Sequence, residues 1–285
     1  MKKRFKKIIK KMYKNIMRSE MKILPGQISF FMLLSMIPLI ALIVALSTNF
    51  SLSITSFING FLDNIPKEAA KIISRIISGD GLNFNMTLFY VSAFILASNG
   101  THSMILASNT MYKFQNKSYI RRRFKALLMT GILVMLILFL ILVPAFGDFI
   151  FKAIKYFAGT TKVTEYIYKV YRIIKYPLSV IFIFISVKLL YTMAPDTRIK
   201  SKTTTIGSLF TTIFWIITTE IYSFYVGHFT KYNLFYGSVA SLIVLMLWIY
   251  LLSYIFVLGM ALNETEHEEI EKTRELNLKE LKGTK

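Results

Sequence analysis

The sequence predicts an all-α fold: a polytopic membrane helical bundle of about six transmembrane helices, with amphipathic helices at the interface. Three observations carry this expectation. Six apolar stretches recur along the chain, each close to the roughly 20 residues a helix needs to cross a hydrocarbon core of about 30 Å. Of the 285 residues 54% are apolar and mean hydropathy is +0.53, well above an ordinary soluble domain. The loops between the stretches alternate in positive charge.

The expected spans run Ile28 to Leu46, Met86 to Leu106, Ala126 to Phe146, Tyr176 to Ala194, Ile206 to Val226 and Val239 to Leu262. Before the first lies KKRFKKIIKKMYKNIMRSEMKIL, where Phe5, Ile8, Ile9, Met12 and Ile16 recur at helical spacing opposite a lysine face. Residues 1–24 are therefore read as a basic amphipathic helix lying on the inner membrane surface. A signal peptide also begins with cations, but its apolar core is shorter than this first span and no A-x-A site follows, so residue 1 is expected in the mature protein. Pro38 in the first span and Pro144 near the end of the third allow kinks. The first outer loop contains PKEAAKIISRIISGDG, where Ile72, Ile73, Ile76 and Ile77 line one side. It predicts a short interfacial helix stopped by Gly79 and Gly81.

In the second span the run from Ser98 to Ser103 interrupts the apolar pattern. One reading is close helix packing through Ser92, Ala93, Ala97 and Gly100. The other is a cavity-lining helix that exposes Asn99 and His102 to a water-filled vestibule. The third span, ALLMTGILVMLILFLILVPAF, carries no charge, where a soluble helix would keep a polar face. After it, FIFKAIKYF and YIYKVYRIIKY mix aromatic and basic residues as at headgroup level. Those segments either lie on the outer surface or extend the third and fourth helices. The final segment, ETEHEEIEKTRELNLKELK, is a mixed-charge helix expected to be solvated. The organisation is thus a membrane domain at 25–263 and a charged cytoplasmic tail at 264–285, with no separate globular domain.

Orientation follows from Lys and Arg, because short loops rich in them stay in the cytoplasm. The N-terminal segment, the loops 107–125 and 195–205 and the C-terminal tail hold 24 of them, against 10 in the three loops on the other side. Both termini are expected in the cytoplasm of a multi-pass protein of the inner membrane. The second outer loop weakens the contrast with six cations, alongside Asp148 and Glu165.

A net charge of +20 would suggest nucleic acid in a soluble protein. Here topology accounts for it, and an anionic inner leaflet attracts basic flanks at about 1 kcal/mol per residue. The expected partners are membrane lipids, with the anionic inner leaflet held by the basic N-terminus, and no nucleic acid. A homo-oligomer or an envelope protein partner is left open. The chain has no cysteine, which excludes disulfides and thiolate metal sites. His102, His228 and His267 share no ligand spacing, so neither a metal site nor a cofactor is expected.

Charges inside spans are expensive and usually face a cavity or a partner. Lys188 lies toward the cytoplasmic side of the fourth span and Glu220 toward the outer side of the fifth. They are read either as a polar pocket between neighbouring helices, or as a snorkelling lysine and a hydrogen-bonded glutamate.

The stretch from Gly207 to Asn263, with GSLFTTIFW, IYSFYVGHFTKYNLFYGSVASLIVLMLWIY and LGMALN, resembles the C-terminal half of the YihY/BrkB family of bacterial inner-membrane proteins. PGQISFFMLLSMIPLI, NTMYKF, RRRFKALLMT and YTMAP extend the resemblance over most of the chain. It implies a bundle of about six spans. It also marks Asn99, Tyr232, Asn233, Tyr236, Gly237, Ser238, Trp248, Gly259 and Asn263 as important, without assigning roles. Gly237 is equally explained as a tight turn entering the sixth span. Many relatives carry an acidic residue where this chain has Ala261, so any role of that carboxylate is not carried over.

The family's old ribonuclease label does not fit these residues. Phosphodiester hydrolysis needs carboxylates or histidines holding metal, or a poised acid/base pair, and the acids outside the tail are scattered. The expectation is a non-enzyme that moves or handles an envelope lipid or other amphiphile, with Lys188, Glu220, Asn99, His102 and Asn233 as candidates for the substrate path. A non-transporting structural or regulatory envelope protein and a small-solute or ion transporter are the alternatives. No G-x-x-x-x-G-K-[ST] loop is present, so transport would be passive, ion-coupled or driven by a partner.

Overall fold

The computed structural model describes residues 16–49, 86–116, 118–158, 162–228 and 239–283. Six long helices make up the described chain: α1 Glu20–Asn49, α2 Met86–Tyr112, α3 Tyr119–Ala158, α4 Lys162–Met193, α5 Thr205–His228 and α6 Val239–Gly283. The basic segment before residue 16, the interfacial helix expected in the first outer loop, and Tyr232, Asn233, Tyr236, Gly237 and Ser238 lie outside the described residues.

The chain is an all-α helical bundle. Each helix packs on the next, and α6 returns to α1 and touches α2, so the pairwise contacts close into a ring. Six helices match the six expected, but two of them rather than six pass a plain membrane-span test over described residues. The stretches Tyr176–Met193 and Ile243–Arg274 are long and apolar enough to cross a membrane by length and composition. In α2 the run from Ser98 to Ser103 and in α5 the paired threonines interrupt the apolar pattern.

Several element ends differ from the expectation. Glu20 to Leu24, grouped above with the basic segment, begin α1, and Met21 and Leu24 are buried. Between the third and fourth spans the chain takes the second of the two readings, because α3 continues to Ala158 and α4 starts at Lys162. At about 1.5 Å per residue the 40 residues of α3 are far longer than a bilayer core. Likewise α6 runs unbroken through the charged tail to Gly283. Pro25, Pro38 and Pro177 lie inside helices.

Among the described side chains burial is densest at one end of the bundle, where α1, α3 and α5 begin and α2 and α4 finish. The core there joins Leu24 and Ile28 of α1, Met104 and Ile105 of α2, Met129 of α3, Leu190 and Tyr191 of α4, and Phe256 to Ala261 of α6. We call this the capped end. Away from it Leu39 and Ile40 of α1 and Ala93 and Ala97 of α2 are still buried, but α4 and α5 are less so. From Ile213 to Tyr225 of α5 no side chain is buried, and the same holds for the described side chains of α4 from Ile173 to Ile185.

Candidate functional site

The capped end gathers the polar chemistry of the described chain. The chain closes α2 with a Schellman turn. Phe114 N–H donates to the Asn109 carbonyl at 2.9 Å and Lys113 N–H to that of Thr110 at 3.2 Å, with Lys113 at φ 57° in the left-handed position usually given to glycine. That turn points Asn109 across the bundle to the loop after α4. Asn109 Nδ2 donates to Asp196 Oδ2 at 2.8 Å and to Asn116 Oδ1 at 2.8 Å, while its Oδ1 accepts from the Asp196 N–H at 2.8 Å. The Asp196 side chain is fully buried, and Lys125 Nζ of α3 donates to its Oδ1 at 2.9 Å. The same ammonium donates to the Pro195 carbonyl at 2.9 Å. The end of α2 and the start of α3 are thus both tied to one carboxylate in the loop after α4.

A second tie joins the segment just before α1 to α6. Arg18 Nη1 donates to Glu264 Oε2 at 2.9 Å, with the Glu264 side chain 4% exposed. The tail therefore carries a buried ion pair at its root, a departure from the solvated helix expected there. Tyr112, Phe114 and His267 form an aromatic cluster beside it. Burial, reinforced by the Glu264 carboxylate, pushes the Tyr112 phenol well above its ordinary range. Its hydroxyl stays protonated.

Between α5 and α6 the backbones meet at two glycines. A Cβ on Gly207 would overlap the Gly259 carbonyl and Asn263 side chain, and one on Gly259 would overlap Thr211 Oγ1 and the Tyr191 hydroxyl. Asn263 is fully buried and its Oδ1 accepts the Gly207 N–H at 2.8 Å. Tyr191 of α4 completes the seam: its hydroxyl donates to the Phe256 carbonyl at 2.7 Å and lies 2.6 Å from Thr211 Oγ1. Gly259 and Asn263, marked by the family resemblance, thus hold helices together. Tyr191→Phe should lower stability by about 1–2 kcal/mol, the range for a buried hydrogen bond whose partner is left unpaired. Thermal unfolding in detergent would read this.

The structure scatters the other candidates. Asn99 is half-buried and its Oδ1 accepts from Arg123 Nη1 of α3 at 2.8 Å, while Arg123 Nη2 donates to the Ile95 carbonyl at 2.6 Å. His102 lies edge-on to Tyr119, ring centroids 5.8 Å apart, and its buried Nε2 has no partner among the described residues. The neighbouring hydroxyls turn inward: Thr101 Oγ1 lies 2.8 Å from Thr130 Oγ1 and donates to the Ala126 carbonyl. This part of α2 serves helix packing. Lys188 is half-buried with Nζ 5.9 Å from the centre of the Phe184 ring, one turn toward the start of α4, so the ammonium points away from the capped end rather than snorkelling toward it. Glu220 is exposed on α5. Lys188 and Glu220 form no ion pair with each other. Trp248 stacks obliquely near Tyr222, centroids 6.3 Å apart, and its buried Nε1 has no partner among the described residues.

Sequence reasoning passed over Lys125, Asn109, Asp196, Gly207 and Tyr191. A signal existed for Asp196, the one acidic residue in the two short basic loops 107–125 and 195–205. Among the described residues no group of three His, Asp or Glu side chains converges to hold a metal ion.

The architecture and its polar cap define a helical-bundle membrane protein with no assembled catalytic centre among the described residues. The sequence profile of the family described as "Virulence factor BrkB" matches residues 12–282, and the chain belongs to this YihY/BrkB family of membrane proteins. The chain is 28% identical over 247 residues to the "Putative ribonuclease-like protein YfkH" of Bacillus subtilis, covering 85% of this chain and 89% of that one. Shorter matches include a UPF0761 membrane protein of Pseudoalteromonas translucida, 37% identical over 98 residues covering 34% of this chain and 33% of that one. Another, of Mannheimia succiniciproducens, is 34% identical over 74 residues covering 26% and 25%. No solved structure matches.

Proposed function

We propose that the chain crosses the inner membrane six times with both termini in the cytoplasm, and that it moves or handles an envelope lipid or other amphiphile. Six long helices and the alternating loop charge support the topology. The observation that carries the functional reading is the asymmetry of burial among the described side chains. The cytoplasmic end of the bundle is closed by packed and hydrogen-bonded side chains. On the other half, α5 beyond Ile213 buries no side chain over more than three turns, although Trp215 Nε1 still donates to the Leu252 carbonyl of α6 at 2.9 Å. Trp215 and Tyr222 keep one side of α5 against α6 there, while the exposed side chains of Ile217, Glu220 and Ile221 leave the other side open to molecules that arrive through lipid. Glu220 lies on this accessible segment, and the Lys188 ammonium points toward the same half of the bundle.

The experiment is lipid translocation in proteoliposomes, read as the share of headgroup-labelled phospholipid that an impermeant quencher reaches. The expected result is quenching beyond the outer-leaflet share. Lys188→Ala and Glu220→Ala should each slow it about tenfold, the effect of about 1.4 kcal/mol on a barrier, with the thermal midpoint unchanged. Quenching no greater than in empty liposomes, with folded protein, would sink the reading. The scattering of Lys188, Glu220 and Asn99 favours the other reading, a non-transporting envelope protein, and that result would select it.

A further inference from the structure

We infer that a cleft between α3 and α4 at the capped end binds the phosphate headgroup of an anionic phospholipid. This deepens the reading above and rests on its placing the capped end at the cytoplasmic leaflet. The cleft measures about 530 Å³, within the range of small-molecule sites. It lies between the first turns of α3 and the last turn of α4 with the loop that follows.

Its charge is unbalanced. Arg121, Lys125 and Arg198 line it with a single carboxylate, Asp196. That carboxylate is buried and already engaged by Lys125 and Asn109. Arg121 and Arg198 are exposed, and neither has a hydrogen-bond or ion-pair partner among the described residues. The position of Arg121 makes this telling. Cations are disfavoured in the first turn of a helix, where the macrodipole is positive, yet α3 opens with Arg121, Arg122 and Arg123 and has no acid there. Arg123 is turned onto α2, as described, whereas Arg121 faces the cleft. A bound anion would offset both its charge and the helix end.

The rest of the lining selects the kind of anion. Arg121, Phe124, Lys125 and Leu128 stand at spacings of three and four residues and share one helix face. Phe124 is 65% and Leu128 51% exposed, an apolar wall directly beside the cations. Exposed Met135 on α3, with Ile185 and Leu189 on α4, extends apolar surface for roughly 20 Å along the helices. Free phosphate would have no use for that surface, while an acyl chain would lie along it. Basic pockets between helices on the cytoplasmic side suit anionic headgroups.

The test is retention of phosphatidylglycerol and of phosphatidylcholine by the full chain in detergent, titrated and read by native mass spectrometry. Phosphatidylglycerol should be held in preference. Arg121→Gln with Arg198→Gln should weaken it about 10- to 30-fold, as the loss of two contacts of about 1 kcal/mol each requires. The thermal midpoint should not move, since neither arginine holds the fold together. Leu128→Ser should also weaken retention of the lipid. Equal retention by wild type and double variant would overturn the site. Displacement of the lipid by millimolar inorganic phosphate would overturn it in favour of a free-anion site. Retention reads occupancy alone, so its failure leaves the translocation reading standing, and failed translocation with intact retention would strike that reading and leave the site.

Discussion

Lys125→Ala should destabilise the folded protein by up to about 3–5 kcal/mol, the range for removing one partner of a buried ion pair. The Asp196 side chain has no solvent exposure, and Lys125 is the cation placed on its Oδ1. Without that ammonium the carboxylate keeps the hydrogen bond that Asn109 Nδ2 donates to its Oδ2. The effect should therefore exceed the loss of a surface ion pair, worth about 1 kcal/mol or less. Combining Lys125→Ala with Asp196→Asn separates charge from packing. If the uncompensated charge is the cause, the double variant should recover a large part of the loss, giving a coupling energy of the size expected for residues in contact. Thermal or denaturant unfolding in detergent measures all three variants. Additive losses would show that Lys125 acts through its hydrogen bonds to the Ala194 and Pro195 carbonyls instead.

The helices were legible because a long apolar run needs only length and composition to be seen, and the six expected stretches fall within helices, the fourth but for its last residue, Ala194. Their ends were less legible. FIFKAIKYF and YIYKVYRIIKY suit an interface and a helix equally well, and no glycine or proline pair stops α3 before Ala158. The solvated reading of the tail missed Glu264 because α6 continues past the span without a break and meets Arg18, a residue far away in sequence. Periodicity shows which face of a helix is apolar but not which helix will lie against it. For that reason Asn109 and Asp196, separated by 87 residues, had no visible relation. Lys188 shows the same limit. Its depth in the fourth span was readable, but the direction of its side chain depended on the Phe184 ring one turn below.

Gly259→Val should be the most damaging single substitution at the α5–α6 seam, with a loss of at least about 2–3 kcal/mol and a thermal midpoint lower by roughly 5–10 °C. Small residues let helices approach within a membrane, where packing rather than the hydrophobic effect holds them together. Here a single added carbon would already overlap Thr211 Oγ1 and the Tyr191 hydroxyl, the two atoms that join α4 to α5 at this level. Neither can yield cheaply. Tyr191 is stacked on Phe256, ring centroids 4.6 Å apart, and both are buried. The substitution would therefore push α5 from α6 and also break the hydrogen bond from Tyr191 to the Phe256 carbonyl. Asn263→Leu offers the contrast: it removes the acceptor of the Gly207 N–H without demanding that the helices part, and should lose about 1–3 kcal/mol. A Gly259→Val protein as stable as wild type would mean that the seam can open, and the closed end would then be a gate rather than a fixed seal.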